Sequence, residues 1–238
     1  MHGYTPLTAA NTHNINGAVY SNLPYHPHKD FAAVASVGVT GDIMMVSAAV
    51  PAKTVGEFIQ LVRRKTGMVY PSAGRGSATH LSMTMPVNLA GVDILYVPFN
   101  STGDAVLEVL LGRGQAMIGA NIAIMAYVND SRVRLLGVTS AMRSRFFPEV
   151  PTLAESGLPG YDFDSWPGLL ALVATPRDIV ERVNTKVSKL LRNPEVLDRL
   201  AKQGIEPRAT TVDQMNKRLA ADFERMAKGV RIAGAQED

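Results

Sequence analysis

The segment Gly67-Met-Val-Tyr-Pro-Ser-Ala-Gly-Arg-Gly-Ser-Ala-Thr-His80 is the most informative stretch of the chain. Its apolar start predicts a strand over 67–71, and the apolar residues that follow it recur at helical spacing. Gly74 and Gly76 lie between the two elements, where glycine allows a ligand to approach the backbone closely. The stretch therefore predicts a strand, a turn of small residues and the start of a helix.

Two interpretations of this turn remain open on the residues alone. The free N–H groups and the positive dipole end of a helix favour an anion, with hydroxyl donors from Ser72, Ser77 and Thr79. Arg75 and His80 would add positive charge. The alternative is an ordinary strand-to-helix connection capped by Ser77. The pattern matches neither a Walker loop nor a dinucleotide-binding glycine motif.

Short apolar runs alternate with amphipathic stretches, which is typical of α/β proteins whose strands are covered on both faces. The predicted strands are 43–47, 67–71, 93–98, 115–120, 133–139 and 166–173. Two more connections resemble the first, at Tyr96–Asp104 and Met117–Asn121, although each could be only a capped helix start. Because ligands of open α/β sheets bind beyond the carboxyl ends of strands, the three loops together favour a binding site.

Capping residues mark three helix starts. The predicted caps are Thr54 and Thr211, in capping boxes with Glu57 and Gln214, and Thr175, which precedes a first-turn Pro176. The residues expected to face the core in the third of these helices are Ile179, Val183, Val187 and Leu190. The carboxyl-terminal third is thus predicted to be helical, and the middle to have a βαβ pattern.

Composition excludes several classes of function. The 238 residues, 46% of them hydrophobic, suffice for one large domain or two small ones. A net charge of +3 and a densest basic cluster of only Arg63-Arg64-Lys65 argue against a nucleic-acid partner. The absence of cysteine excludes thiol catalysis, cysteine-bound metals and disulfides. His26 and His28 lack partners for a metal site, and no Gly-x-Ser-x-Gly elbow occurs, so we expect neither a cofactor nor an enzyme.

The chain resembles a known family, the Bug receptors, which are the periplasmic substrate-binding proteins of tripartite tricarboxylate transporters. The segments that carry the resemblance are Leu23–Phe31, Val50–Thr54, 70–80, Val97–Phe99, Val138–Ser140 with Arg143, Val150–Thr152, Glu155–Tyr161, Trp166 with Gly168-Leu169, and Thr175-Pro176. They occur in the expected order over nearly the whole chain.

The resemblance implies a type II periplasmic-binding fold, with two α/β lobes that are joined by crossing strands and close on a ligand. Lobe one would comprise 1–47 and 166–238, and lobe two 48–165. The crossings would lie near Val46-Ser47 and Ser165-Trp166. The family's signal peptide, first strand, first helix and glycine-rich loop have no counterpart here, so we expect lobe one to lack its first strand and helix.

The resemblance also implies a site for a small carboxylate or a related acid or amide. The implied ligand-binding residues are Ser72, Ala73, Gly74, Ser77 and His80 in lobe two, Thr8, Asn11 and His13 in lobe one, and Asn121 at a strand end. Many relatives carry an acidic residue where this chain has Ala120, which leaves recognition of a ligand amine there in doubt. The implied protein is a periplasmic monomer that delivers its ligand to the membrane subunits of the transporter. The alternatives are a truncated remnant without a competent site and a cytosolic ligand-sensing domain.

Overall fold

The structure is a computed structural model, and it describes residues 5–237. The strands are β1 (Leu7–Ala9), β2 (Phe31–Ser36), β3 (Gly38–Ser47), β4 (Val69–Ser72), β5 (Leu95–Pro98), β6 (Ala116–Ala120), β7 (Val133–Val138), β8 (Asp164–Ser165), β9 (Gly168–Leu172) and β10 (Glu206–Pro207). The helices are α1 (Thr12–Val19), α2 (Val55–Arg64), α3 (Ala78–Leu89), α4 (Thr102–Leu110), α5 (Asn121–Ile124), α6 (Arg177–Leu190), α7 (Pro194–Lys202) and α8 (Val212–Ile232). Each of the six predicted strands has a counterpart, which confirms the α/β prediction.

The chain divides into two compact units. Unit 1 comprises Met1–Thr40 and Ser165–Asp238, and unit 2 comprises Gly41–Asp164. The first boundary falls within β3 and the second within β8.

Unit 1 is built on the antiparallel sheet β1-β9-β2. Apolar side chains leave β2 toward both faces, because the side chains of a strand alternate in direction. Ala33 packs with residues of α8 in one buried cluster, whereas Val34 packs with Val180 of α6 in another. The helices therefore cover both faces of this small sheet.

Trp166 anchors the core of unit 1. Its side chain is fully buried, and its indole N–H donates a hydrogen bond to the Asp222 carboxylate on α8. Arg225, one turn further on, donates to the same carboxylate over 2.6 Å. The buried acid is therefore neutralised by a cation and also satisfies the indole donor.

Unit 2 is built around β3, which pairs antiparallel with both β6 and β7, while β4 and β5 pair parallel. β4 lies beside β6, and Gln115 joins their amino ends: its N–H donates to the Val69 carbonyl over 2.8 Å. Since the two strands lie side by side with their amino ends together, they run in the same direction. The buried core residues of this unit include Ile43, Met45, Ala105, Val106, Val109, Leu110, Met117, Ile124, Val138 and Phe147.

Two of the predicted helix caps are observed, and one prediction needs correction. Thr211 and Gln214 form the complete capping box. Thr54 also caps its helix, but the partner carboxylate of Glu57 accepts from the N–H of Lys53 rather than from that of Thr54.

The prediction for α6 was wrong in two respects. Pro176, not Thr175, is the N-cap, so the helix starts one residue later and has no side-chain cap. Val180 is the fully buried residue of this helix; Val183 and Val187 pack against the same cluster, as predicted, whereas Leu190 is 54% exposed. The helix lies at the edge of the sheet, where it buries a narrower face than its apolar pattern indicates.

We predict that Asp222→Ala destabilises the protein by about 2–4 kcal/mol, because it leaves a buried indole N–H and a half-buried guanidinium without their acceptor. Asp198→Ala is the matched control. Its carboxylate is exposed on α7 and pairs with Lys202, so its loss should change the free energy of unfolding by less than about 0.5 kcal/mol. Urea unfolding followed by circular dichroism measures both variants, and equal effects would contradict the anchoring role of Asp222.

Candidate functional site

The predicted strand–turn–helix segment forms as expected in unit 2. β4 ends at Ser72, α3 begins at Ala78, and the turn between them contains two glycines with left-handed backbones. Gly74 has φ +108° and Gly76 has φ +70°, conformations that side-chain-bearing residues rarely adopt. The sharp turn brings the carboxyl end of the strand directly to the amino end of the helix.

Hydroxyl groups hold the turn in shape. The Ser72 hydroxyl is fully buried and donates toward the Gly74 carbonyl (3.1 Å) and the Tyr96 hydroxyl (3.2 Å). The Thr79 hydroxyl accepts from the N–H of Ala73 over 2.9 Å, and Ser77 caps α3 by accepting from the N–H of His80. These serine and threonine groups therefore hold the turn in shape, and their role as ligand donors stays a prediction.

The turn also offers backbone N–H groups as hydrogen-bond donors. Within residues 5–237, the N–H groups of Gly74, Ala78 and Thr79 have no hydrogen-bond acceptor. Ala78 and Thr79 are the first two residues of α3, where the dipole of the helix places positive potential. The turn is thus suited to bind a carboxylate through its backbone.

His80 does not supply the positive charge that the sequence suggested. Its ring is buried, stacks on Tyr96 at 4.0 Å, and accepts the N–H of Gly76 at Nδ1 over 3.1 Å. Burial, together with the nearby positive charge of Arg75, lowers its pKa to about 4. The imidazole is therefore neutral at pH 7 and positions the turn, while the exposed Arg75 carries the charge.

The second predicted connection, before α4, is an ordinary capped helix start. Ser101 accepts from the N–H of Asp104, and its hydroxyl donates to the Asp104 carboxylate over 2.7 Å. This carboxylate already stands in the first turn, where it offsets the helix dipole and would repel a second anion. The anion interpretation is therefore disfavoured here.

The third predicted connection lies at the same edge of the sheet as the turn before α3, because β4 and β6 run in the same direction. β6 ends at Ala120, and the buried Asn121 opens α5. The amide of Asn121 is thus placed beyond the carboxyl end of a strand, as the sequence indicated.

The three predicted residues of unit 1 have different environments. Thr8 is exposed on β1. Asn11 is buried; its Oδ1 accepts from the Ser165 hydroxyl over 2.9 Å, and its Nδ2 has no acceptor in the described part of the chain. His13 is packed between Tyr25 and Phe31, and its Nε2 lies 3.0 Å from the Pro27 carbonyl. Of the three, Asn11 alone presents a buried, unsatisfied donor.

Residues 1–234 match the family described as the tripartite tricarboxylate transporter family receptor. The chain belongs to this family. Family membership confirms the prediction of a solute-binding receptor rather than an enzyme. In the described range no group of three or more His, Asp or Glu side chains could hold a metal ion, and no helix is long and apolar enough to cross a bilayer.

Relatives of this receptor chain are longer than the chain itself. The UPF0065 protein of the tcbD-tcbE intergenic region of Pseudomonas sp. (strain P51) is 30% identical over 95% of this chain and 68% of its own length. A relative from Agrobacterium vitis is 27% identical over 91% of this chain and 64% of its own length. BugT of Bordetella pertussis is 27% identical over 98% of this chain and 73% of its own length. The chain thus spans about two thirds of the length of these curated relatives.

Two solved receptors confirm the fold. Rpa4515 of R. palustris, solved with adipate, superposes with a TM-score of 0.84 at 28% identity, covering 98% of this chain and 79% of that one. MatC (Rpa3494) from Rhodopseudomonas palustris, with bound malate, has a TM-score of 0.77 at 27% identity, covering 96% of this chain and 79% of that one.

The receptor chain also contains a functional candidate that sequence reasoning missed. Asp42 on β3 is only 5% exposed, and its carboxylate forms no hydrogen bond or ion pair with the described residues. Burial, with the negative charge of Asp164, raises its pKa to about 7. The available signal was a single acidic residue inside the apolar strand Gly41-Asp-Ile-Met-Met-Val46.

We predict that the receptor loses stability as the pH falls from about 6.5 to 4, in part because His80 has a lower pKa in the folded state than in the unfolded state. Over this pH range the unfolded chain binds a proton at His80 that the folded chain does not bind. His80→Gln should make this loss smaller, and the difference between variant and wild type is measured by urea unfolding at pH 7, 5.5 and 4. A parallel pH dependence of the two proteins would contradict the assignment.

Asp42 should change the pH dependence of the folding stability in the opposite direction to His80. Because its pKa is raised on folding, its ionisation costs stability as the pH rises from about 4 to about 7, and the cost then stays constant. Asp42→Asn is therefore expected to stabilise the protein by about 2–4 kcal/mol at pH 8 and by much less at pH 4. Urea unfolding at the two pH values tests this, and an equal gain at both would show that charge is not the cause.

Proposed function

We propose that this receptor captures a small carboxylate in the periplasm and delivers it to the membrane subunits of a tripartite tricarboxylate transporter. The free N–H groups of Gly74, Ala78 and Thr79 at the start of α3 are the observation that carries the proposal. A carboxylate accepts several such N–H groups at once, in charge-assisted hydrogen bonds that the helix dipole strengthens.

The comparisons support the same ligand class. The family is one of transporter receptors, and the two solved relatives contain adipate and malate, both dicarboxylates. We further propose that units 1 and 2 serve as the two lobes of a monomeric receptor. In unit 1, Thr8, Asn11 and His13 stay predictions, with the buried Asn11 amide best placed to donate to a ligand. In unit 2, Asn121 is proposed to line the same sheet edge as the turn before α3.

Ala78→Pro tests the role of the backbone donors. Ala78 is the first residue of α3, a position where proline keeps the helix intact and removes only an unused N–H. We expect the variant to fold normally and to bind its carboxylate about 10- to 100-fold more weakly, the loss of one charge-assisted hydrogen bond. Titration calorimetry with a panel of mono-, di- and tricarboxylates measures this change.

The matched control is Thr102→Pro, the same substitution at the first residue of α4, whose start is already occupied by the Asp104 carboxylate. Its affinity should equal that of the wild type. Equal losses in both variants would contradict the assignment of the site to α3. If the folded wild type binds no acid of the panel, the remnant interpretation is favoured, and turnover of any acid would contradict a receptor function.

A further inference from the structure

Asp42 is a buried carboxylate that the proposed binding of an acid does not use. The backbone around it is fully engaged with Thr139: its N–H donates to the Thr139 hydroxyl over 2.7 Å, and its carbonyl accepts the Thr139 N–H over 2.9 Å. Its side chain, in contrast, has no partner among residues 5–237, although only 5% of the residue is exposed. A buried carboxylate without a cation or donor is costly, so it points to a partner that binds from outside the chain.

Among the described residues, the cross-strand neighbours nearest to Asp42 carry no positive charge. On β6, the residue directly opposite is Ala120, whose side chain is a single methyl group. Beyond β7 lies Thr139, whose hydroxyl is occupied by the backbone of Asp42. On β8, Asp164 adds a second negative charge close enough to raise the pKa of Asp42. The surroundings thus attract a cation and repel an anion.

This acidic position lies at the same edge of the sheet as the turn before α3. β3 runs antiparallel to β6, so the amino-terminal part of β3 is beside the carboxyl end of β6. β4 lies on the other side of β6 and ends at that edge as well. Two strand spacings, roughly 10 Å, separate β4 from β3. A small ligand can therefore place a carboxylate at the start of α3 and a cationic group at Asp42.

We propose that Asp42 binds the protonated amine of the ligand, so that the preferred substrates of this receptor are amino acids rather than plain dicarboxylates. The proposal rests on the carboxylate-binding function of the turn before α3, which fixes the other end of the molecule. An ammonium group provides three donors to the Asp42 carboxylate, in charge-assisted hydrogen bonds within a buried environment. Asp164 adds electrostatic attraction from the neighbouring strand.

The test compares L-glutamate with glutarate, which have the same carbon chain and both carboxylates and differ only by the ammonium group. At pH 7.5 we expect the wild type to bind L-glutamate at least about tenfold more tightly than glutarate. Asp42→Asn should abolish this preference by lowering the affinity for L-glutamate, while glutarate binds as tightly as before or more tightly. Asp93→Asn, which removes the same charge from an exposed position of unit 2, should retain the preference.

Proton release provides a second readout, by calorimetry in buffers of different ionisation enthalpy. Binding of L-glutamate at pH 7 should release about half a proton, because the ammonium group holds Asp42 ionised. Binding of glutarate should release none from this residue. A preference that survives in Asp42→Asn, or a wild type that prefers glutarate, would overturn the proposal.

A probe without a carboxylate separates this inference from the function on which it rests. n-Propylammonium chloride, compared with potassium chloride at equal ionic strength, should stabilise the wild type thermally but not Asp42→Asn. If neither acid binds and the amine still stabilises, the carboxylate-binding function fails and the Asp42 site stands. If glutarate binds and neither L-glutamate nor the amine depends on Asp42, the function stands and the inference fails. If none of the three binds, both fail.

Discussion

The antiparallel pairing of β3 with β6 and β7 is the constraint on which the rest of unit 2 depends. β3 is a ten-residue strand whose side chains are almost all buried, and its pairing register places Asp42 opposite Ala120. β6 in turn lies beside β4, through the hydrogen bond between Gln115 and Val69. A shift of this register by one residue would turn Asp42 to the other face of the sheet and remove it from the edge where the turn before α3 lies.

At this edge of the sheet, positive potential and negative charge lie at different strands. The start of α3 presents N–H groups and positive potential, whereas the start of α4 is already neutralised by its own Asp104. Asp42 and Asp164 make the β3 side negative. His80 adds no positive charge here at pH 7, because burial and the nearby charge of Arg75 lower its pKa to about 4. The positive and negative groups of this edge therefore lie at different strands of the same sheet.

Much of this arrangement could be predicted from sequence because it is encoded locally. The Ser77 cap, the glycine turn before α3 and the Thr211 capping box depend on residues within a few positions of one another, and the sequence predicts all three. The protonation state of His80 depends mainly on its burial, which is set by tertiary packing. The importance of Asp42 depends on its cross-strand neighbours, which only the register reveals. The exposure of Leu190 on α6 has a similar origin, since periodicity indicates an apolar stripe but not how much of that stripe the sheet covers.

The burial of Trp166 has a consequence for spectroscopy. It is the only tryptophan of the 238 residues, and it lies wholly within the core of unit 1, with its indole N–H bound to a carboxylate. Its fluorescence therefore reports the integrity of unit 1 alone, while the tyrosines of unit 2, including Tyr70 and Tyr96 beside His80, contribute only weaker emission. A denaturation curve recorded at tryptophan wavelengths would therefore follow unit 1, and unit 2, which contains the turn before α3, needs a different probe.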